Sequence, residues 1–597
     1  MMELEPSKRP GMGSFPYEGG ATFRVWAPHA REVFVLGTFN NWQEDRHALA
    51  SEGNGLWSAD VLEAKIGDHY KYRLITDQGP LLRIDPYARE TLCSSCDGII
   101  HDPDFNWGED RFVPPAHEAL VIYEMHVGTF HVKQKGKPGS FLTALEKLAY
   151  LKDLGINCIE VMPVMEFQGD FSWGYNPALI FSIENAYGGP LAFKQFIKAA
   201  HDQGMAVILD VVYNHLGPGD LDLWQFDGWQ ENDKGGIYFY NDHRSQTPWG
   251  ETRPDYGRGE VRQYLRDNAL MWLEEYRLDG LRWDATAFIR NIQGTNDPAF
   301  DLPEGWSLMQ WINEQIKQTH PQALSIAEDV RGNAALTALA SLGGAGFDAQ
   351  WNGLFVHEVR QVLAAPDKSA LDLGAICRAL EFRYDQEAFK RIIYTESHDE
   401  VANGKARVPQ QISSDDPGSW TAKKLSTLGA ALVFSTPGIP MIFQGQEFLE
   451  DEWFRDEDPL DWAKLDRYAG IHRLYRDLIR LRRNLDRNTQ GLRGPNIHLF
   501  HVNHQDKVLA FKRSTESVRE GDVVVVANFA AKEQLNYRVG LPRSGTWAVR
   551  LNTDHQDYDA SFSGFGPESL EAIQEAYDGL PCSATLDMGP FSVLILS

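Results

Sequence analysis

Long apolar runs are absent from this 597-residue chain, and so is any surplus of positive charge. No stretch of 18 apolar residues occurs, which excludes a membrane-spanning helix. The opening residues, Met1-Met2-Glu3-Leu4-Glu5-Pro6, carry no apolar core of a secretory signal. Lysine and arginine total 57 against 84 acidic residues, giving a formal net charge of −27. Nothing is left over to neutralise phosphates, so nucleic acid is excluded as a partner, whereas a neutral substrate is not. Cysteine is scarce: Cys93, Cys96, Cys158, Cys377 and Cys582. Their odd number and scatter argue against a disulfide framework and fit a reducing compartment, so a cytoplasmic location is expected. Cys93-Ser-Ser-Cys96 has redox or metal spacing but no second pair and no βαβ surroundings, and it reads as an inert loop. No internal repeat or low-complexity segment is present.

What the chain has is aromatic side chains: 17 Trp, 21 Tyr and 31 Phe. Most such rings fill cores and domain interfaces; in an enzyme for polymeric sugar, some would stack on pyranose faces. The remaining composition, 43% hydrophobic and 24% charged, is that of a globular protein, and the length allows several domains.

Between residues 20 and 100, short strand-like runs alternate with turn residues: Thr22-Phe23-Arg24-Val25-Trp26, Val33-Phe34-Val35-Leu36, Trp57-Ser58-Ala59-Asp60-Val61 and His69-Tyr70-Lys71-Tyr72-Arg73-Leu74. The spacing predicts a β-sandwich. A proline-bearing linker spans 102–119, after which strands alternate with helical patterns, the mark of βα units. Eight strands are expected at 120–125, 158–162, 206–212, 280–284, 323–328, 346–350, 391–396 and 440–443. Helices are expected at 141–154, 191–200, 261–276 and 470–484. The arginines of the last, Arg473, Arg476, Arg480, Arg482 and Arg483, read as a solvated face. The long 217–254 connection, rich in Trp, Asp and Gly, would shape a cleft. Strands return from about residue 497. The expected fold is therefore α/β: an eight-stranded β/α (TIM) barrel at 111–490, an N-terminal β-sandwich at 1–110 and a C-terminal β-sandwich at 491–597.

Three carboxylates, Asp284, Glu328 and Asp399, each sit at or just past the end of one of these apolar runs. In a parallel barrel the strand C-termini converge on one face, so acids far apart in sequence can share one site. Paired acids flanking a sugar acetal are the equipment of glycosidic-bond chemistry. Arg282 lies two residues before Asp284, on the same face of that strand, and would keep the acid ionised.

Four ordered segments carry a more specific signal: Asp210-Val211-Val212-Tyr213-Asn214-His215, Gly280-Leu281-Arg282-Trp283-Asp284, Ala327-Glu328-Asp329 and Ser397-His398-Asp399. They resemble the sequence blocks of the α-amylase superfamily, glycoside hydrolase family 13, and the resemblance runs from about Val121 to Gln446. The front segment with Phe39-Asn40-Asn41-Trp42 is similar to the carbohydrate-binding module found ahead of branching and debranching enzymes. The resemblance implies that Asp284 is the nucleophile of a covalent glycosyl-enzyme. It implies that Glu328 protonates the leaving oxygen and later deprotonates the acceptor, and that Asp399 binds hydroxyls of the distorted ring. By the same resemblance His215 and His398 bind sugar hydroxyls, Tyr175 stacks on the sugar and Asp210 buttresses the site. The mechanism needs no cofactor and no metal.

A glycosyl-enzyme can be released by water or by a sugar hydroxyl, and the triad is silent between the two. Glu396-Ser397-His398-Asp399-Glu400-Val401 with Gly404-Lys405, and Ala327-Glu328-Asp329-Val330 with Gly332, are similar to blocks of glycogen branching enzymes. Phe443-Gln444-Gly445-Gln446-Glu447-Phe448, Trp173-Gly174-Tyr175 and Ala186-Tyr187-Gly188-Gly189-Pro190 look more like maltooligosyltrehalose trehalohydrolase. The expected substrate is an α-glucan such as amylose, glycogen or a maltooligosaccharide. The expected activity is 1,4-α-glucan branching, with α-glucan hydrolysis as the alternative. An inactive barrel serving as a glycan-binding scaffold would have no need of all three acids and Arg282.

Overall fold

The computed structural model describes residues 5–109, 111–217, 221–329, 331–367, 371–515 and 521–597. Eight parallel strands close a barrel in chain order. They are β1 (Ile122–Met125), β2 (Cys158–Val161), β3 (Ala206–Val211), β4 (Gly280–Trp283), β5 (Leu324–Ala327), β6 (Ala349–Trp351), β7 (Arg391–Ile393) and β8 (Ile439–Phe443). Every expected barrel strand is present, most of them trimmed at one or both ends. At the C-terminal ends the trimming has a common cause. Asp284 and Glu328 each give a last N–H to the neighbouring strand, to the carbonyls of Val211 and Trp283, and the chain turns away just past them.

Both faces of these strands are buried, which explains why they read as continuous apolar runs. Alternate residues divide between two cores. Ile122, Cys158, Ala206, Ile208, Leu324, Ile326, Ala349, Trp351, Ile392 and Met441 pack inside the barrel. Tyr123, Ile159, Val207, Leu209, Leu281, Trp283, Ile393 and Ile442 face the helices. With a period of two, Glu124, Glu160, Asp210 and Arg282 point inward one step above the apolar layers.

The segment expected as one helix at 141–154 is two, Phe141–Leu145 and Leu148–Leu154, broken at Glu146 and Lys147. The other three expected helices are Gly189–Asp202, Gly259–Glu274 and Ala469–Arg482. The last does not carry a uniformly solvated arginine face. Arg482 is buried and donates to the carbonyls of Glu118 and Gly438, tying this helix to the barrel's lower rim.

Two antiparallel sheets form the N-terminal sandwich, and Phe23, Val25, Val33, Val35, Tyr70 and Tyr72 fill it. It docks on the long 217–254 connection: Arg83 donates to the carbonyls of Phe226 and Gln225, and His29 pairs with Asp227. At the other end a six-stranded sheet faces a two-stranded one. Gln534–Leu541 and Cys582–Met588, the two-stranded pair, were not evident from the sequence because half of their residues are polar.

Cys93 and Cys96 are joined by a disulfide, contrary to the expectation of an inert reduced loop, while Cys158, Cys377 and Cys582 are free. Sequence scatter argues against a multi-bridge framework but cannot speak to a bond that merely closes one tight turn. Among the described residues, no helix is long and apolar enough to cross a membrane.

Candidate active site

The three acids singled out in the sequence line one cavity of about 240 Å³ at the C-terminal face of the barrel. Trp173, Tyr175, His215, Trp249, Phe288, Arg331, His398 and Asn403 share its wall. Asp210 and Arg282 lie just beneath.

Arg282 is the hub. Its side chain is 1% exposed. Nη1 donates to Asp210 Oδ1 and Oδ2 at 2.9 and 2.7 Å and to Asp284 Oδ1 at 2.9 Å. Nη2 lies 3.9 Å from Glu328 Oε2, and the guanidinium packs 4.3 Å from the centroid of Trp351. The register across β3 and β4 sets Asp210 beside Arg282, and the two-residue step sets Asp284 above it. Asn214 donates to the other Asp284 oxygen at 2.7 Å and to the Asp284 carbonyl at 2.9 Å. Asp284 is thus clamped from both sides, with its orientation fixed before any ligand arrives.

Glu328 has a different environment. Its Oε2 accepts the backbone N–H of Ala285 at 2.7 Å. Burial pushes its carboxyl up to about 8, and Asp284 and Asp399 add to the rise, while Arg282 and the Ala285 N–H oppose it. Two acids in one cavity therefore have opposed settings, one clamped by a guanidinium and one biased toward the protonated form. Asp399 opens the short turn Asp399–Val401, and 56% of its side chain is open to the cavity. The Lys405 ammonium holds the Asp399 carbonyl at 3.0 Å.

His398 stacks on Tyr175 with ring centroids 4.9 Å apart, and the Tyr175 hydroxyl donates to Asp210. Beneath His398 sits Glu124, which accepts from the His398 backbone N–H at 3.1 Å and from Nδ1. Burial alone would lower the imidazole pKa; the Glu124 carboxylate reverses that and raises it to about 9. His215 runs the other way: burial lowers it to about 4 despite Asp284. One histidine is an imidazolium and the other a neutral ring. Burial likewise lifts Asp210 to about 7, with Arg282 opposing. The Glu160 carboxyl is buried without a hydrogen-bond partner on either oxygen, and burial reinforced by Glu124 drives it well above the usual range.

Glycine has a steric role at one point here. Gly174 has φ +92°, and a Cβ there would stand 2.2 Å from the Pro163 carbonyl oxygen. Only glycine lets the chain pass close enough to set Trp173 and Tyr175 on either side of it against the cavity.

All eight sequence-derived site residues are therefore gathered at one place. Glu124, Asn214, Trp249, Phe288 and Trp351 were missed as functional positions. Glu124 had a signal, an acid inside an apolar strand run; the two tryptophans and the phenylalanine had none that set them apart from core rings. Val330, part of one of the compared blocks, lies outside the described residues. Among the described residues, no group of three or more His, Cys, Asp or Glu side chains could hold a metal ion.

Comparison with known proteins agrees with this geometry. The family model described as alpha amylase, catalytic domain, matches residues 128–221 and 218–480. Carbohydrate-binding module 48 (isoamylase N-terminal domain) matches 11–88, and the alpha amylase C-terminal all-beta domain matches 500–597. The chain is 31% identical to the 1,4-alpha-glucan branching enzyme GlgB of Corynebacterium jeikeium over 97% of its own length and 82% of the relative. It is 29% identical to GlgB of Marinobacter nauticus, over 97% and 94% respectively. The fold is shared with the pullulanase of Paenibacillus barengoltzii (TM-score 0.75, 20% identity, 100% and 95% covered). It is also shared with the type I pullulanase of Bacillus subtilis (TM-score 0.76, 21% identity, 99% and 85% covered). With the closed barrel, the strand-end carboxylates and a catalytic-domain match over more than half its length, the chain belongs to the α-amylase family.

Proposed function

We propose that the protein is a 1,4-α-glucan branching enzyme, cleaving an α-1,4 bond and passing the chain to a 6-hydroxyl through a covalent glycosyl-enzyme. The observation that carries the covalent glycosyl-enzyme is the opposed setting of Asp284 and Glu328 inside one cavity. Asp284, oriented between Arg282 and Asn214, attacks the anomeric carbon. Glu328 keeps its proton on Oε1, since Oε2 already accepts a backbone N–H, and gives it to the departing glycosidic oxygen. The resulting carboxylate then takes a proton from the incoming hydroxyl. Asp399 and the His398 imidazolium hold hydroxyls of the reacting ring, Tyr175 stacks against it, and neutral His215 adds a further contact. Asp210 and Arg282 buttress from below. In this reading residues 1–110 and 491–597 flank a catalytic unit at 111–490, and the substrate is an α-glucan.

Transfer rather than hydrolysis is supported by the two relatives, both named as branching enzymes, and by the Ser397-His398-Asp399-Glu400 block. The segment 443–448, which resembles a trehalose-releasing hydrolase, does not weigh against it. Gln444 accepts from the His126 N–H, and Glu447 accepts from Tyr123 and half-buried Tyr150, all of them outside the cavity lining. Trp173, which does line the cavity, keeps the hydrolytic reading as the second one. Incubation with amylose separates the two. Branching gives falling iodine absorbance and new α-1,6 linkages with little gain in reducing ends. Reducing ends rising in step with cleavage, without α-1,6 bonds, would reject branching, and trehalose released from maltooligosyltrehalose would select the hydrolase.

A further inference from the structure

The Cys93–Cys96 disulfide has no part in the mechanism above, yet it stands against the element that carries two rings of the active site. The turn Cys93-Ser94-Ser95-Cys96 is closed by the Cys96 N–H to the Cys93 carbonyl at 3.0 Å and by the bond between the two sulfurs. A bond across a separation of 3 residues closes so short a loop that it removes little entropy from the unfolded chain. Its effect is therefore local, on what the turn touches.

What it touches is the hairpin of Met165–Phe167 and Pro177–Ile183. Ser94 is buried, and its hydroxyl donates to Glu166 Oε1 at 3.2 Å. Glu166 Oε2 accepts the Asn185 N–H at 3.4 Å, just past the second strand. The loop joining the two strands, 168–176, brings Trp173 and Tyr175 to the active site. A separate cavity of about 380 Å³ is lined by Cys93 and Ser94 together with Gly169 and Asp170 of that same loop, and by buried Glu166 and Glu184. The stretch just before the turn is anchored without the disulfide. Ser182 donates to the Ala88 carbonyl at 2.7 Å, and the Arg89 guanidinium lies 4.9 Å from the Phe181 ring. Only the tip, with Ser94, depends on the closed turn.

The bond is also reachable. Both of its cysteines are half-buried and Cys93 lines the cavity, whereas Cys158 and Cys582 are buried. A disulfide open to an incoming thiolate is of the labile kind. We propose that Cys93–Cys96 is a reversible redox site for a dithiol, and that its state sets how firmly the loop bearing Trp173 and Tyr175 is held. A thiolate of the dithiol attacks one sulfur, the S–S bond breaks, and the other cysteine leaves as a thiolate and takes a proton. The second thiol of the dithiol then displaces the first cysteine from the mixed disulfide. The protein gains two electrons and two protons, and the dithiol becomes a disulfide. Once open, the turn withdraws Ser94 from Glu166 and the hairpin loses that brace. Because the loop serves the ring that is attacked, the brace matters equally for transfer and for hydrolysis.

The test equilibrates the full chain in dithiothreitol buffers of graded oxidised-to-reduced ratio, with alkylation and mass spectrometry reporting which cysteines are reduced. Amide hydrogen exchange then reads the 165–183 hairpin without any substrate. Its amides should exchange about tenfold faster in the reduced protein, while the barrel strands keep their protection. The amylose needed for half-maximal loss of iodine absorbance should rise about threefold, with kcat changing less. Reoxidation should restore both. Cys93→Ser/Cys96→Ser should match the reduced protein and ignore dithiothreitol, and oxidised Ser94→Ala should show part of the same loosening. Hairpin exchange that is the same in both redox states would overturn the proposal, as would a bond that survives excess dithiothreitol. So would a dithiothreitol response that persists in the double serine variant, which places it at Cys377, or protection lost across the whole barrel, which makes the bond a structural staple. Faster hairpin exchange in a protein that leaves amylose intact would uphold the redox site and reject the glucan-active reading instead.

Discussion

At Glu328 the balance of burial and charge has consequences on both sides of folding. Its native carboxyl is raised from an ordinary value near 4.5 to about 8, burial being the largest cause. Between those two values the unfolded chain has lost the proton and the native one keeps it, so stability falls as pH rises through the window. Glu328→Gln removes that penalty. It should abolish turnover yet raise the melting temperature at pH 7.5, and the gain should vanish by pH 4; parallel melts at the two pH values check this. Equal gains at both would mean the effect is not ionic. Glu124 invites a complementary experiment. Without its carboxylate, burial alone governs His398, facing Arg282, Asp399, Tyr175 and His126, and the imidazolium is lost near neutrality. Glu124→Gln should therefore move the activity optimum to lower pH, losing more at pH 7.5 than at pH 5.5. A profile merely scaled down would show that Glu124 only holds the backbone of His398.

Among the elements, the turn after β7 shows how a loop can be made as rigid as a strand. Glu396 is fully buried and receives Arg407 Nη1 at 2.9 Å and the Val408 N–H at 2.7 Å. Arg407 also donates to the Gln444 carbonyl at 3.0 Å after β8, and Arg360 holds the Thr395 carbonyl at 3.0 Å. These bonds frame the segment on which His398 and Asp399 stand. Removing one partner of a buried pair leaves the other charge uncompensated, so Arg407→Met should cost about 3–5 kcal/mol, read by denaturant unfolding. A loss near zero would show that water reaches Glu396. Legibility in the sequence follows the same lines. The barrel strands were readable because two buried faces force continuous apolar runs, and the acids were readable because they interrupt those runs at their ends. Glu124 carried a weaker form of the same signal, since it interrupts its run in the middle of a four-residue strand rather than at the end. Arg482 was not readable, because a helix's charge pattern does not tell which arginine meets carbonyls of the barrel floor. Trp249 was not, because only the tertiary stack on His215 separates it from the rings that fill cores.

For the whole molecule, the C-terminal sandwich is fastened to the barrel by an ion pair sealed from water. Lys424, within the helix Trp420–Ser435, pairs with Asp554 at 2.5 Å, and both side chains are 0% exposed. Burial lowers the Lys424 ammonium to about 8, with Asp554 opposing the fall. Asp554 also accepts from Ser563, Ser563 N–H and Phe565 N–H, so its charge is shared with the sandwich's own backbone. Around the pair, Phe562 lies 4.6 Å from the ammonium, and Lys423 pairs with Asp559 beside it. A native ammonium held below its ordinary 10.5 adds instability that grows as pH falls through the window between 10.5 and 8, and Asp554 must offset it. Lys424→Met leaves Asp554 buried among backbone donors without its cation. It should cost about 3–5 kcal/mol and uncouple the sandwich. Scanning calorimetry should then resolve an early transition ahead of barrel unfolding, while turnover of amylose below that temperature stays within about twofold of wild type. Adding Asp554→Asn to Lys424→Met should recover part of the loss, because a neutral amide keeps the shape without stranding a charge. A single unchanged transition in Lys424→Met would mean that apolar contact alone holds the two units together.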